Sequence, residues 1–353
     1  MSERVLLGFS GGIDSVTSVR LLRERGYDVV TLTLDMVGDE QLLRRASQRA
    51  SELGVEHHIL DVREAFCRHV VDYFTSSYLS GHTPAPCTVC NPAIKWRFMA
   101  DYADRLGIEH IASGHYFNVV HCNDKYYVAR AADSSKDQSY YLWGLDQRTL
   151  SRIVTPMGDA IKQQVKADFE DKRESMGVCF LQGQLYRDFI ISHSPSAAAK
   201  GDVVDAEGRV VGKHDGIAFY TVGQKRGFEC SLAGAVVVDV DAEHNRLVVG
   251  SNNDLYKQTI DISDCVVVDS EELLTADDIS VVVRGLGRNP EGFLQRVEPL
   301  ADGYRLHLST PAWALALGQP VVLYRGERVL GGGFIVARSS FSLFKSLSLS
   351  KII

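Results

Sequence analysis

Between residues 4 and 115, short β-branched runs and helical patterns alternate with almost no interruption: "RVLLGF", "SVTSVRLLRERG", "YDVVTLTLDM", "DEQLLRRASQRASELG", "HHILDV", a long helical stretch over 63–78, another over 95–106, and "HIASGH". Such a chain must bury its strands on both faces, because every crossover helix lies across the sheet. The pattern predicts an α/β fold with a doubly wound, mostly parallel sheet and ligands at the carboxyl ends of the strands. At 353 residues, 45% hydrophobic and 24% charged, the chain is longer than one such unit needs, so two or three domains are expected.

After Asp146 the sequence turns helical and more polar, and "SHSPSAAAKG" reads as a linker, since Ser, Pro, Ala and Gly replace any hydrophobic period. Beyond Lys200 the strands are short and separated by turns: "GDVVDAEGRVVG", "AFYTV", "GAVVVDVDAEHNRLVVG", "DISVVVRGLG", "GYRLHLS" and "QPVVLYRGERVLGGGFIV". This half is expected to be a small β-rich module followed by a β-barrel. The expected division is 1–195 for the catalytic domain with a helical extension, 196–255 for the central module and 256–353 for the barrel. The Ser-rich "SSFSLFKSLSLSKII" at the end is expected to fray.

No stretch has the pattern of a secretory leader, and no apolar run approaches the roughly 20 residues that cross a bilayer, so a cytoplasmic location is expected. The formal charge of −7 argues against coating a nucleic acid by bulk electrostatics, so any such site must be a local patch. Seven cysteines are too few and too scattered for a disulfide framework. They are expected to be thiols, metal ligands or catalysts.

"LLGFSGGIDS" sets Ser10-Gly11-Gly12-Ile13-Asp14-Ser15 between the first strand and the first helix. A double glycine lets backbone approach phosphate oxygens, while amides at the helix start and the Ser10 and Ser15 hydroxyls supply donors. No Gly-Lys-Ser/Thr follows, which excludes a Walker A loop. The S-G-G-x-D-S string instead resembles the PP-loop of ATP pyrophosphatases of the adenine nucleotide α-hydrolase-like fold. That resemblance implies cleavage of ATP between the α and β phosphates, with Asp14 helping to position pyrophosphate and its Mg²⁺. GMP synthetases, NAD synthetases and several tRNA-modifying enzymes share such a loop, so it fixes only the class of chemistry.

Further strings narrow the choice: "CNPAIKW" (90–96), "KDQSYYL" (136–142), "ESMGVCF" (174–180), "GKHDGIAFYTVGQKRG" (212–227) and "GQPVVLYRGERVLGGGFI" near the end. In this order, over almost the whole chain, they resemble the tRNA-uridine 2-sulfurtransferases, the MnmA family. The resemblance implies ATP-dependent thiolation of the wobble uridine of tRNA: the 2-oxygen is adenylated and sulfur displaces AMP. It implies a persulfide on Cys179 and attack by Cys90, with sulfur from a persulfide carrier protein or inorganic sulfide. It also implies an ATP site lined by Gly8, Phe9, Ser10, Gly11, Gly12, Ile13, Asp14, Ser15, Leu34 and Gly114, and tRNA contacts from His115, Lys136, Asp137, Gln138, Arg284 and Gln319. Two rival functions stay open: a PP-loop enzyme that adenylates a small metabolite, and a non-catalytic RNA-binding or iron–sulfur regulatory protein.

The chain departs from the family pattern at three places. Cys87 stands where an Asp is usual, three residues before the nucleophile; Asn118 stands where an Arg is usual; and the stretch 162–174 is shorter. The first departure gathers three thiols, Cys87, Cys90 and Cys179. Three thiolates can hold a [4Fe–4S] cluster with one iron open to hydrosulfide. The competing expectation is a persulfide relay in which Cys87 is an accessory thiol. A structural zinc site needs a fourth ligand and gives sulfur no route. A thioredoxin-like redox pair is disfavoured, because the two cysteines are not expected at the start of a helix.

Overall fold

The computed structural model describes residues 2–167, 169, 177–285 and 287–337. Seven strands lie in its first part: β1 (Arg4–Gly8), β2 (Asp28–Asp35), β3 (Glu56–Asp61), β4 (His110–Ser113), β5 (Asn118–Cys122), β6 (Lys125–Ala129) and β7 (Ile153–Val154). Five of them make a parallel sheet in the order β3-β2-β1-β4-β7, so the topology reverses direction beside β1. The side-chain period of two divides β1 between two cores. Val5 and Leu7 pack with the helices α1 (Ile13–Glu24) and α2 (Glu40–Glu52), whereas Leu6 faces Trp96, Met99 and Ala103 on the other side. Covered on both faces, β1 is buried throughout its centre, as a doubly wound sheet requires.

The second layer contains two long helical runs, each interrupted by a wide π turn. In the first, α3 (Arg63–Phe66) continues through Cys67–Val71 into α4 (Asp72–Leu79). In the second, α5 (Pro86–Cys90) continues through Asn91–Trp96 into α6 (Arg97–Arg105). This corrects the expectation for the cysteine pair: the helix starts at Pro86, not Lys95, and Cys87 and Cys90 occupy its first turns. Pro86 sits where a proline's fixed φ and missing N–H are harmless. The sequence conceals this start because the i→i+5 turn breaks the 3.6-residue period until Lys95.

A short α7 (Gln147–Leu150), then α8 (Lys162–Ala167) and α9 (Tyr186–His193), lead to the β half. There β8 (Gly201–Val204), β9 (Val210–His214), β10 (Glu229–Cys230), β11 (Val236–Asp241) and β12 (Arg246–Gly250) form one sheet. "AFYTV" is not a strand: Ile217–Phe219 make a single 3₁₀ turn, and all three side chains enter the core under α4 and α9. The last sheet is built from β13 (Tyr256–Val267), β14 (Ile279–Val282), β15 (Leu294–Leu300), β16 (Gly303–Trp313), β17 (Pro320–Arg325) and β18 (Arg328–Ile335), with α10 (Ser270–Thr275) beside it. The hairpin β5–β6 of the N-terminal part joins this sheet, Ala129 pairing with Arg328 of β18. Ser139 and Tyr324 share a 2.9 Å hydrogen bond across the same boundary, and the Tyr140 hydroxyl donates to the carbonyls of Val283 and Pro320. Residues 168 and 170–174 of the stretch 162–174, and the whole Ser-rich end, lie outside the described residues. No helix among the described residues is long and apolar enough to cross a membrane.

Candidate active site

The loop after β1 enters at the point where the sheet reverses its order, the usual place for a ligand crevice. Gly11 adopts φ +68°, and a Cβ there would lie 3.0 Å from the Ala46 Cα, so only glycine lets the loop turn under α2. Gly12 is the N-cap of α1 and offers no capping side chain. The first amides of the helix are thus left for an anion, in the field of the helix N-terminus. Ser10 and Ser15 face each other over this turn: the Gly12 amide donates to Ser10 Oγ, and Ser15 Oγ donates to the Gly12 carbonyl at 2.9 Å. Gly114, after β4, closes the other side, since a Cβ there would lie 3.2 Å from the backbone of Asp14 and Ser15.

Asp14 has a partner that the sequence does not announce. Lys162, the buried first residue of α8, places its ammonium 2.6 and 2.7 Å from the two carboxylate oxygens, and Tyr116 donates its hydroxyl to the first at 2.9 Å. Lys162 and Tyr116 together fix the orientation of the Asp14 carboxylate, and Oδ2 keeps a lone pair beyond its bond to Lys162. The two residues are 148 positions apart, and nothing in the local pattern around Lys162 singles it out.

A cavity of about 350 Å³ opens above the loop, and its wall runs from Ser10, Asp14 and Ser15 past Leu34 and Lys95 to Gly114, His115, Gln138 and Cys179. Cys179 opens a 3₁₀ turn whose next residue, Phe180, locks into a cluster of rings, 5.8 Å from Phe66, 5.1 Å from Phe74 and 5.2 Å from Phe189. Edge-on aromatic packing of this kind is directional, so it fixes the turn as well as burying it. Cys90 is buried at 5% exposure, while Cys87 and Cys179 are exposed. Burial pushes the Cys90 thiol up to about 12, Lys95 opposes that shift, and the neighbouring Cys179 and Cys87 add to it. Cys87 is raised too, chiefly by desolvation of its sulfur, and it also feels Lys95 and Cys179. The three thiols and Lys95 therefore share one neighbourhood. Among the described residues, however, no group of three or more His, Cys, Asp or Glu side chains is arranged to hold a metal ion. As placed, the three thiols are not gathered into a ligand set for a [4Fe–4S] cluster.

The remaining expected residues are distributed unevenly around this centre. His115 lies on the cavity wall with Nδ1 2.8 Å from Ser113 Oγ; its enclosure, helped by Lys95, lowers its pKa to about 3, so the ring is neutral. Gln138 also lines the cavity and accepts from the Tyr116 amide. Asp137 turns inward, accepting from the Ala131 amide and the Ser139 hydroxyl, and so holds its loop together. Lys136 is half-buried beside it. Arg284 donates to the Trp313 and Ala314 carbonyls, and Gln319 accepts from the Ala316 amide, so both brace the turn after β16. That turn reaches the cysteines: the Thr83 amide donates to the Leu317 carbonyl at 2.8 Å. Asn118 donates to the Arg130 carbonyl and accepts from Thr155, at the base of the β5–β6 hairpin. Asn91 ties the cysteine turn to the 136–142 string, donating to the Cys87 and Tyr141 carbonyls at 3.0 and 3.1 Å.

A parallel sheet with a Ser-Gly-Gly loop at its switch point, followed by two β modules, defines a nucleotide-binding HUP-type enzyme with appended β domains. Residues 3–183 match the family described as tRNA methyl transferase HUP domain, 187–251 the tRNA methyl transferase PRC-barrel domain and 274–335 the Aminomethyltransferase beta-barrel domain. The tRNA-specific 2-thiouridylase MnmA 3 of Bacteroides fragilis (strain YCH46) is 37% identical over 354 residues, covering 97% of this chain and 96% of its own. The tRNA-specific 2-thiouridylases MnmA of Cytophaga hutchinsonii and Salinibacter ruber are 34% and 37% identical, over 96% and 94% of this chain and 98% and 94% of their own. The chain belongs to the tRNA-specific 2-thiouridylase (MnmA) family.

Proposed function

We propose that the protein is a cytoplasmic tRNA-uridine 2-sulfurtransferase that thiolates the wobble uridine at the expense of ATP. The observation that supports this reading best is the single cavity that joins the phosphate loop to Cys179, with Cys90 just behind it. An amide-like carbonyl oxygen is a poor leaving group until it is adenylated, so activation and sulfur delivery must meet at one carbon. In this reading ATP lies with its phosphates on the amides of Gly11 and Ile13, between the Ser10 and Ser15 hydroxyls. Membership of the family suggests Mg²⁺ as well, entering with the phosphates beside Asp14. The uridine 2-oxygen attacks the α phosphate and pyrophosphate leaves.

Cys179, exposed at the cavity wall, attacks the outer sulfur of a carrier protein's persulfide and takes it as its own persulfide while the carrier cysteine leaves as a thiol; inorganic sulfide, already at the level of hydrosulfide, bypasses this relay and adds to C2 directly. The Cys90 thiolate then attacks the Cys179 sulfur, the S–S bond to the terminal sulfur breaks, and hydrosulfide is released as Cys90 and Cys179 close a disulfide. Hydrosulfide adds to C2 and AMP departs with the oxygen. An external thiol reductant restores the disulfide to two thiols. The modules 196–255 and 256–353 serve as the tRNA clamp behind the catalytic domain 1–195, with Lys136, Gln138 and the turn braced by Arg284 and Gln319 facing the RNA.

Mass spectrometry of tRNA nucleosides after incubation with ATP and a persulfide donor tests this reading. Cys90→Ala and Cys179→Ala are expected to abolish 2-thiouridine, and Cys87→Ala to retain it. Loss of product in Cys87→Ala, together with iron and sulfide in anaerobically purified wild type, would replace the relay with a cluster on the three thiols.

A further inference from the structure

The proposed reaction passes through anions at every step, yet the cavity wall is poor in positive charge. Asp14, Asp35 and Asp39 line it, and Lys95 is the one Lys or Arg among the lining residues. His115 is neutral, and the Lys162 ammonium close by is already bound to Asp14. Lys95 itself is half-buried and makes no hydrogen bond or ion pair among the described residues. Holding an ammonium in a partly desolvated site without a counter-charge is unfavourable unless an anion joins it. The next residue repeats the pattern: Trp96 lines the same cavity, is 1% exposed, and its buried indole N–H has no acceptor. Two adjacent side chains thus bring unmet donors to one corner, between the phosphate loop and the thiols. The π turn Asn91–Trp96 sets them there, because its i→i+5 spacing carries Lys95 one wide turn beyond Cys90.

We propose that Lys95, with the Trp96 N–H beside it, is the anion site that holds the phosphate of the adenylated uridine and of the departing AMP. This rests on the sulfurtransferase reading above and extends it to the second half-reaction. As hydrosulfide forms its bond to C2, the C2–O bond breaks and its electron pair moves onto the oxygen that leaves with AMP. The ammonium lies where that charge grows. Lys95 lies on the α5–α6 side of the cavity, on the π turn, whereas the pyrophosphate that leaves in the first half-reaction is held by the loop after β1. The Lys95 charge also acts on the buried Cys90, so one charge serves both the leaving group and the incoming sulfur.

The two half-reactions separate experimentally. In single-turnover reactions of the full chain with tRNA, ATP and sodium sulfide, Lys95→Met is expected to leave pyrophosphate release within about threefold of wild type. AMP release is expected to slow by about 100-fold, the scale of losing one preorganised charge donor in a closed site. Lys95→Arg is expected to recover at least about tenfold of that loss. Calorimetry without RNA gives an independent measure: AMP affinity is expected to fall about tenfold in Lys95→Met while adenosine affinity stays unchanged. AMP release within about threefold of wild type, or equal slowing of both half-reactions with unchanged AMP affinity, would overturn the assignment. Should Lys95→Met not fold, Lys95→Gln and Lys95→Arg carry the same comparison. If wild type releases no pyrophosphate with tRNA but AMP affinity still falls in Lys95→Met, the function fails while the anion site stands.

Discussion

Cys90 and His115 are the residues whose environments set the chemistry, and both are shifted in the same sense, toward the neutral form. A buried thiol at about 12 is a weak nucleophile at neutral pH, so the thiolate fraction of Cys90 should grow about tenfold per pH unit across the whole assay range. Peptide-mapped alkylation with iodoacetamide checks this: Cys90 labelling is expected to keep rising between pH 7 and 10, and a plateau below pH 9 would show that burial does not control it. His115 is expected to be silent. With its folded pKa near 3 against about 6.5 unfolded, the ring stays neutral from pH 5 to 9 and its ¹³C and ¹⁵N shifts do not move. The linkage has a definite sign: the unfolded chain takes up the proton first, so the stability tied to the neutral ring is present above pH 6.5 and is lost as pH falls toward 3. A rising acid limb of stability that survives in His115→Gln would assign it to another group.

The element that matters most is the loop–helix unit after β1, and its glycines can be tested singly. Gly11→Ala forces a left-handed backbone on an L-residue, costing about 1–2 kcal/mol, and drives a Cβ to 3.0 Å from Ala46. Gly114→Ala instead presses on Asp14 and Ser15 without a backbone penalty, since its φ is ordinary. Gly11→Ala is therefore expected to lower both the melting temperature and ATP affinity, and Gly114→Ala mainly ATP affinity; thermal unfolding with and without ATP separates them. This unit was legible in the sequence because its information is local: strand, double glycine and hydroxyls within a dozen residues. The βα alternation was legible for the same reason. The helix start at Pro86 was not, since a π turn has no recognisable sequence period. The strand reading of "AFYTV" failed because tertiary burial under α4 and α9, not β pairing, explains its apolar residues. The Lys162–Asp14 pair and the β5–β6 hairpin on the last sheet are contacts between distant segments, which no local pattern encodes.

At the scale of the whole molecule, the three sheets converge on the short run that precedes the cysteines. Thr83 reaches the turn after β16 through Leu317 and the central module through Thr221, at 2.5 Å between hydroxyls, and Gly81 abuts Val240 of β11. The aromatic cluster around Phe180 likewise joins α3 and α4 to α9 and the central module in one core. Phe180→Ala is expected to cost about 3–5 kcal/mol and to release the Cys179 turn, so 2-thiouridine formation should fall further than ATP binding. Binding of tRNA should weaken steeply with salt despite the net charge of −7, because phosphate contacts release counterions locally. A salt-insensitive affinity would count against the proposed clamp.

The central claim is that one cavity couples ATP cleavage to sulfur transfer on RNA. Its most direct test is the ratio of 2-thiouridine formed to AMP released, measured with and without tRNA in the presence of sulfide. One thiouridine per AMP, and no AMP above background without tRNA, is the expected result. Sustained AMP release without RNA, or with tRNA that remains unthiolated, would contradict it and point to a small-molecule acceptor.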